Sequence, residues 1–196
     1  MNFIDIHTHK NISDTNVSIL NTYPNSTNFD TLFSIGIHPW YIKDKNIDTE
    51  LSFIAQQLQH EDCFALGECG LDKLSETDYK LQLKVFKAQI LLSEEYQKPL
   101  IIHCVKSFQE VLLLKKEIKP QQPWIIHGFN KNSQVAASLI KNSCFLSFGK
   151  SLLKNEKLQD AFKEIPLENI FLETDDSEIA IETIYKKAAE IKNVTI

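Results

Sequence analysis

The sequence predicts an α/β fold of the TIM-barrel type, in which parallel strands alternate with helices. Three observations support this prediction. Short runs rich in β-branched and aromatic residues recur along the chain, amphipathic stretches separate most of them, and polar side chains gather where the runs end. Alternating strands and helices are typical of βαβ units. In barrels of this type, the carboxyl ends of the strands carry the functional residues.

Eight candidate strands can be counted, and their nearly continuous apolar character fits strands that are buried on both faces of a parallel sheet. They are Asn2–Ile6, Val17–Thr22, Leu32–Ile37, Phe64–Gly67, Leu100–Cys104, Trp124–Gly128, Cys144–Phe148 and Ile170–Thr174. Caps and 3.6-residue periodicity predict helices that begin at Asp48, at Ser75 with Asp78, at Ser107, at Asn132, at Leu158 and at Asp176. The connections Lys10–Asn16 and Tyr23–Thr31 are polar and lack helical periodicity. We therefore expect the first two helical connections of the barrel to be shortened.

Length and composition predict one domain that spans residues 1–196. No apolar run approaches the ~18 residues that a membrane span needs, and the N-terminus lacks the pattern of a signal peptide. We therefore expect a cytoplasmic protein without membrane contact. The sequence leaves the oligomeric state open, and we expect a monomer. The net charge of −5 argues against an extended basic face for duplex nucleic acid. The chain has no arginine, so any phosphate would be held by lysine, by backbone N–H groups or by metal.

Two histidines end the first predicted strand in the run Asp5-Ile6-His7-Thr8-His9. Because side chains alternate along a strand with a period of two, His7 and His9 point to one face and can hold one metal ion. Asp5 lies on the same face and can orient a ligand imidazole. An HxH pair is common in unrelated sequences, so two ordinary polar residues remain the alternative at this point.

Later strands end in further imidazoles and carboxylates. A lone histidine after apolar residues is usually a hydrogen-bonded core residue, but its repetition at one level of neighbouring strands favours a shared site. The side chains concerned are His38 after the third strand, Glu68 after the fourth, His103 and His127 after the next two, and Glu173 and Asp175 at the last. His38 is a candidate for substrate contact, with an ordinary loop histidine as the alternative.

The candidate metal ligands are therefore imidazoles and carboxylates without a thiolate: His7, His9, Glu68, His103, His127 and Asp175. Six ligands suit two metal ions better than one, and Glu68, between two pairs of imidazoles, can bridge them. Mixed ligation of this kind admits Zn, Mn, Fe or, with more water, Mg. We predict two divalent ions (Mg, Mn or Zn) without a choice among them.

The segments HTH, GIHPW, GECGLD, IIH, IHGF and ETD, in this order, resemble the TatD family of metal-dependent deoxyribonucleases among the amidohydrolase-like barrels. The resemblance extends over nearly the whole chain. It implies His7, His9 and Asp175 as ligands of one ion, His103 and His127 as ligands of the other, and Glu68 between them. It also implies hydrolysis of DNA phosphodiesters, often from a strand end. The expected partner is DNA or an oligonucleotide, single-stranded or at a strand end.

Catalytic and substrate-binding roles follow from this resemblance and from general chemistry. We expect a metal-activated water to attack phosphorus in line, with Asp175, or else Glu68, as its base. His38, Lys106 and Lys131 all come just after predicted strands, and they are candidates for contacts with phosphates of the substrate.

The sequence departs from the family pattern near the mouth of the predicted barrel. The first two connections are short, Cys104-Val105-Lys106 stands where an arginine-containing segment is usual, and Asp176-Ser177 follows the ETD motif. These departures leave substrate length and strand preference open. The chain also stops earlier than typical family members, so we expect a missing or truncated C-terminal tail.

Two other functions remain alternatives. The same barrel and ligands serve metal-dependent amidohydrolases and small phosphoesterases. Many amidohydrolases bridge their metals with a carboxylated lysine, whereas Glu68 stands at the equivalent strand end here, which favours the TatD interpretation. A non-catalytic metal-binding barrel is the other alternative.

Overall fold

The computed structural model describes residues 3–10 and 16–195. Within these residues, eight strands form a sheet in sequential order from β1 to β8. The strand pairs β1–β2, β3–β4, β4–β5 and β7–β8 are parallel. The strands are β1 (Ile4–Thr8), β2 (Val17–Thr22), β3 (Phe33–Ile35), β4 (Cys63–Asp72), β5 (Leu100–Val105), β6 (Trp124–Ile126), β7 (Cys144–Phe148) and β8 (Ile170–Leu172). All eight predicted strands are therefore present, although Met1 and Asn2 lie outside the described residues.

Helices alternate with the strands from β3 onward, as expected for a TIM-type barrel. They are α1 (Ile47–Gln57), α2 (Tyr79–Glu95), α3 (Phe108–Ile118), α4 (Ser133–Lys141), α5 (Glu156–Glu164) and α6 (Ile181–Lys192), with short 3-10 turns at Asp44–Asn46, Lys150–Leu153 and Leu167–Asn169. The connection from β2 to β3 contains no helix, as predicted. Residues 11–15 of the first connection lie outside the described part of the chain.

Strand β4 differs most from its predicted extent, because it continues past Gly67 to Asp72. Glu68 therefore lies inside the strand, and Asp72 ends it. The strand continues because β5 pairs along its second half, with Gly70 opposite His103 and Asp72 opposite Val105. A Cβ atom at Gly70 would lie 2.1 Å from the carbonyl oxygen of His103, so only glycine allows this approach.

Four predicted helix starts were wrong, including that of α5, which begins at Glu156 and not at Leu158. Helix α1 begins at Ile47, so Asp48 lies in its first turn and does not cap it. Helix α2 begins at Tyr79, where the side chain of Asp78 accepts a hydrogen bond from Leu81 N, and Ser75 lies before it. Helix α6 begins at Ile181, not at Asp176, because the backbone N–H and C=O of the preceding Asp175 pair with β1 instead.

The chain divides into two compact units whose boundaries fall inside β2 and β6. The first unit comprises residues 1–20 and 126–196, and its core includes Ile6, Phe148 and Phe162. The second comprises residues 21–125, and its core includes Phe33, Phe86 and Trp124. The single domain that the sequence predicts over residues 1–196 stays a prediction.

None of the helices within the described ranges is long and apolar enough to cross a membrane.

Candidate metal centre

In the first unit, four of the predicted ligands lie close together: His7, His9, His127 and Asp175. The Oδ1 atom of Asp175 lies 3.7 Å from His7 Nε2 and 3.4 Å from His9 Nε2. The ring centroids of His7 and His127 are 4.5 Å apart. One ligand atom from each of His7, His127 and Asp175 lies within 4.8 Å of the others. We refer to His7, His9, His127 and Asp175 as the first donor group.

The position of Asp175 depends on backbone pairing with β1. The N–H of Asp175 donates to the carbonyl oxygen of His7, and the N–H of His9 donates to the carbonyl oxygen of Asp175, both at 3.0 Å. This pairing holds Asp175 at a φ of 54°, in the left-handed region, which Asp and Asn tolerate better than most residues. The two hydrogen bonds therefore bring its carboxylate to His7, in β1, and to His9, directly after it.

A second carboxylate, that of Glu173, lies next to His127 and is fully buried. Its Oε1 atom accepts a hydrogen bond from Gly128 N at 2.7 Å and lies 3.5 Å from His127 Nδ1. Its Oε2 atom is buried and has no hydrogen-bond partner among residues 3–10 and 16–195. The sequence predicts that Glu173 faces the interior, and the structure adds that it holds the backbone next to His127.

Asp5 has a different partner from the imidazole that we predicted. Its Oδ1 atom accepts from Thr174 N at 3.0 Å, and its Oδ2 atom accepts from Thr174 Oγ1 at 2.5 Å. Burial raises the pKa of Asp5 to about 6, although the hydrogen bonds from Thr174 act in the opposite direction. Asp5 therefore fixes the residue that lies between Glu173 and Asp175.

In the second unit, His38, Glu68 and His103 form another group, with one ligand atom of each within 4.8 Å of the others. The Oε1 atom of Glu68 lies 2.8 Å from His103 Nδ1 and 3.2 Å from His38 Nε2. The backbone N–H of Trp40 donates to His38 Nδ1 at 3.1 Å, so a neutral His38 carries its proton on Nε2, facing Glu68. We refer to His38, Glu68 and His103 as the second donor group.

Asp72, which is not among the residues predicted from the sequence, adjoins the second donor group. Its Oδ2 atom accepts from Trp40 Nε1 at 2.6 Å and lies 3.2 Å from His103 Nε2, and its Oδ1 atom accepts from Leu74 N at 2.7 Å. Burial acts to raise the pKa of Asp72, but the hydrogen bonds from Trp40, Leu74 and His103 outweigh it and leave the pKa below its ordinary value. An ionised Asp72 orients His103 so that Nδ1 faces Glu68. The sequence signal was present, since residues 68 and 72 share a face of one strand.

Two buried glutamines of α2 hold the backbone next to this group. The side chain of Gln89 accepts from Ile37 N at 2.7 Å and donates to Ile37 O at 3.1 Å, directly before His38. The side chain of Gln82 accepts from Asp72 N at 2.8 Å and donates to Asp72 O at 3.0 Å. The two glutamines are two helical turns apart, so one face of α2 supports both backbone segments.

The remaining predicted residues are the lysines Lys106 and Lys131, which are exposed. Lys106 follows β5, and Lys131 lies shortly before α4. Their contacts with substrate stay predictions. The assignment of His103 and His127 to one ion and the bridging role of Glu68 also stay predictions.

The chemistry of both donor groups fits divalent cations. Imidazole nitrogens and carboxylate oxygens are ligands that Zn and Mn accept, and Mg accepts carboxylates together with water. Near the first group, Glu173 adds a buried carboxylate oxygen without a hydrogen-bond partner in the described part of the chain. The residues that are present therefore fit metal binding in each unit.

Parallel strands in sequential order, with imidazoles and carboxylates in or just after the strands, are typical of the metal-dependent hydrolases built on TIM-type barrels. The family model described as TatD related DNase matches residues 2–195. The chain belongs to this family, which is a family of metal-dependent hydrolases.

Individual relatives agree with this assignment. A putative deoxyribonuclease TATDN1 homolog from Vairimorpha ceranae is 29% identical over 160 residues, covering 80% of this chain and 56% of the relative. The uncharacterized metal-dependent hydrolase YabD from Bacillus subtilis is 35% identical over 146 residues, covering 72% of this chain and 57% of the relative. The human 3'-5' RNA nuclease TATDN2 is 31% identical over 149 residues, covering 72% of this chain and 19% of the relative. The chain thus spans a little over half the length of the first two.

Solved structures confirm the fold class. The TatD homolog YJJV from Escherichia coli superposes with a TM-score of 0.81 at 19% identity, covering 96% of this chain and 90% of the other. A TatD family hydrolase from Entamoeba histolytica superposes with a TM-score of 0.77 at 18% identity, covering 98% and 92%. The predicted TIM-type barrel is therefore confirmed.

Proposed function

We propose that this chain hydrolyses phosphodiester bonds of DNA with the help of two divalent ions, from the ends of single strands. Membership in the TatD related DNase family supports this proposal. The name of one relative, a putative deoxyribonuclease, supports DNA as the substrate, and the name of another, a 3'-5' RNA nuclease, supports cleavage of nucleic-acid phosphodiesters in general. We further expect the protein to act in the cytoplasm as a monomer.

The observation that carries the proposal is the accessibility of Asp175. Its side chain is 33% exposed beside two imidazoles, whereas that of Glu68 is only 5% exposed. A general base must reach the water whose proton it removes. Asp175 is therefore the better candidate for the base, and Glu68 is the better candidate for a buried ligand.

The other residues then bind and orient. His7, His9 and His127 with Asp175, and His103 with Glu68, would hold the divalent ions. Such ions, when bound, supply a Lewis acid and neutralise charge on phosphate oxygens. Without arginine in the chain, the exposed side chains of Lys106 and Lys131 are the candidates for contacts with substrate phosphates. The side chain of His38 is only 5% exposed and faces Glu68, so His38 is a better candidate for a third ligand of the second donor group than for the phosphate contact that the sequence predicts.

The test compares two neighbouring aspartates. Metal-stripped protein is restored with Mg, Mn or Zn in turn and given single-stranded and duplex oligonucleotides. We expect stepwise shortening that depends on metal, and a loss of at least about 100-fold in rate for Asp175→Asn. Asn tolerates the left-handed backbone of this position, so the fold should persist, as circular dichroism can verify. Asp176→Asn is the matched control, since the side chain of Asp176 is 67% exposed and forms an ion pair with Lys150.

Each other outcome identifies a different function. An Asp175→Asn protein that cleaves at the parent rate would contradict its role as base. Hydrolysis of small esters or amides without cleavage of DNA would favour an amidohydrolase or a small phosphoesterase. Metal binding without any chelator-sensitive hydrolysis would favour a non-catalytic barrel.

A further inference from the structure

Three aromatic side chains of the second unit, Tyr23, Trp40 and Tyr41, line a cavity of about 580 Å³ that also includes His38 of the second donor group. Trp40 and Tyr41 are each 55% exposed, although large aromatic side chains usually bury most of their surface. The volume lies within the range of about 300–1,000 Å³ that small-molecule sites occupy. The cavity is therefore large enough for a planar ring system next to the donor group.

The aromatic rings are held in place from several sides. The indole N–H of Trp40 donates to Asp72 Oδ2 at 2.6 Å. The ring centroids of Trp40 and His38 are 4.9 Å apart, and the angle between the ring planes is 83°. The Tyr41 ring lies 5.4 Å from His38 and 5.7 Å from Tyr23. An exposed surface that is already ordered loses little conformational entropy when a ligand binds to it. These rings are therefore suited to stacking.

The charge of the chain indicates which ligand would use such a surface. With a net charge of −5 and no arginine, the protein has little electrostatic attraction for a phosphate backbone. Aromatic stacking supplies affinity for single-stranded nucleic acid without electrostatic attraction. Stacking accepts every base, because each base has a π-face. In a duplex these faces are covered by neighbouring bases. Asn25, Asn46, Lys43 and Glu50 also line the cavity, so its polar groups carry charges of both signs and the aromatic rings distinguish it.

We propose that this cavity binds a nucleobase of single-stranded DNA, with Trp40 as its stacking surface and with Tyr41 and Tyr23 beside it. The inference rests on the proposed nuclease function for the identity of the ligand. It predicts that the protein prefers a strand with bases to a bare sugar-phosphate backbone.

The two tryptophans of the chain make the test selective. Trp124 is fully buried, so a change of tryptophan fluorescence on addition of a ligand reports mainly on Trp40. Metal-stripped protein in chelator is titrated with a short single-stranded oligonucleotide, with the same strand made abasic, and with duplex. We expect saturable quenching of tryptophan fluorescence by the strand with bases. The Kd for the abasic strand should be higher by a factor of roughly ten or more.

Variants are compared by the fluorescence anisotropy of a labelled oligonucleotide. Trp40→Ala should weaken binding roughly tenfold or more and abolish the preference for the strand with bases over the abasic strand. Trp40→Phe should retain most of the affinity and most of this preference. Tyr41→Ala, which leaves the bond between Trp40 and Asp72 intact, should give a smaller loss of the same preference. Leu113→Ala is the matched control, because Leu113 is an exposed apolar side chain on α3 of the same unit.

Equal binding of the abasic strand, or an unchanged preference in both Trp40→Ala and Tyr41→Ala, would overturn the inference. Failure of binding by any strand would do the same, whatever the rate of hydrolysis with metal. Preference for bases without cleavage would support the inference and contradict the proposed nuclease function, so the two proposals fail separately.

Discussion

At the scale of single residues, Asp72 gives the sharpest prediction, because one carboxylate orients both Trp40 and His103. In Asp72→Asn the amide can donate to His103 Nε2, which moves the imidazole proton to Nδ1, facing Glu68. We expect metal affinity at the second donor group to fall roughly 10- to 100-fold while the fold persists. Calorimetric titration of metal-stripped protein with Zn or Mn measures the change.

Asp62→Asn is the control for this substitution. Asp62 lies 3.8 Å from His60, and both side chains are 42% exposed, so the same change is made beside a histidine at the surface. Its metal affinity should match that of the parent. An Asp72→Asn protein with the parent's affinity would show that Asp72 does not orient His103. Long-range nitrogen NMR of the metal-free protein would record the tautomer of His103 directly.

Residues whose position follows from local sequence could be predicted, and residues whose role depends on distant partners could not. His7 and His9 follow from the period of one strand, and His103 and Asp175 follow from the ends of apolar runs. The second donor group was predicted only in part, because His38 meets Glu68 across thirty residues of sequence. Asp72 was missed for the same reason, since its partners Trp40 and His103 each lie about thirty residues away.

At the scale of elements, α2 shows how a helix positions a site that it does not line. Gln89 satisfies both backbone groups of Ile37, which is almost fully buried. In Gln89→Leu these groups lose their partner, and each buried unsatisfied group costs about 1–3 kcal/mol. We expect the free energy of unfolding to fall by about 2–4 kcal/mol, and metal affinity to fall because His38 follows directly. Urea unfolding of metal-free protein measures the first effect.

Gln56→Leu on α1 is the matched control, because Gln56 is exposed. A surface substitution of this kind usually changes stability by no more than about 0.5 kcal/mol. Similar losses in the two variants would mean that the hydrogen bonds of Gln89 contribute nothing specific.

The extent of individual elements was predicted less well than their order. Apolar runs located all eight strands, since burial on both faces leaves a strong local signal. The end of β4 was missed because glycine and carboxylates follow Gly67, and only the pairing of Gly70 with His103 keeps that segment extended. The start of α6 was missed because Asp175 is held by β1, from the opposite end of the sequence.

At the scale of the whole molecule, metal binding and stability should be coupled. Each of the two compact units contains its own imidazole and carboxylate donors, in the first and second donor groups. Metal that binds only the folded chain stabilises it by about 2.7 kcal/mol at a concentration of 100 times its Kd. For a chain of this size, that corresponds to a rise in Tm of roughly 5–10 °C, reversed by chelator.

Stoichiometry then separates the contributions of the two groups. If each group holds its own ion, the parent binds two ions per chain, whereas Asp175→Asn and Glu68→Gln each bind one and retain part of the rise in Tm. Asp176→Asn, changed at an exposed carboxylate, should behave as the parent does. Loss of both ions in Glu68→Gln alone would favour the bridging role that the sequence predicts for Glu68. A parent that binds one ion, or melts at the same temperature with and without metal, would contradict two-ion binding and the mechanism that depends on it.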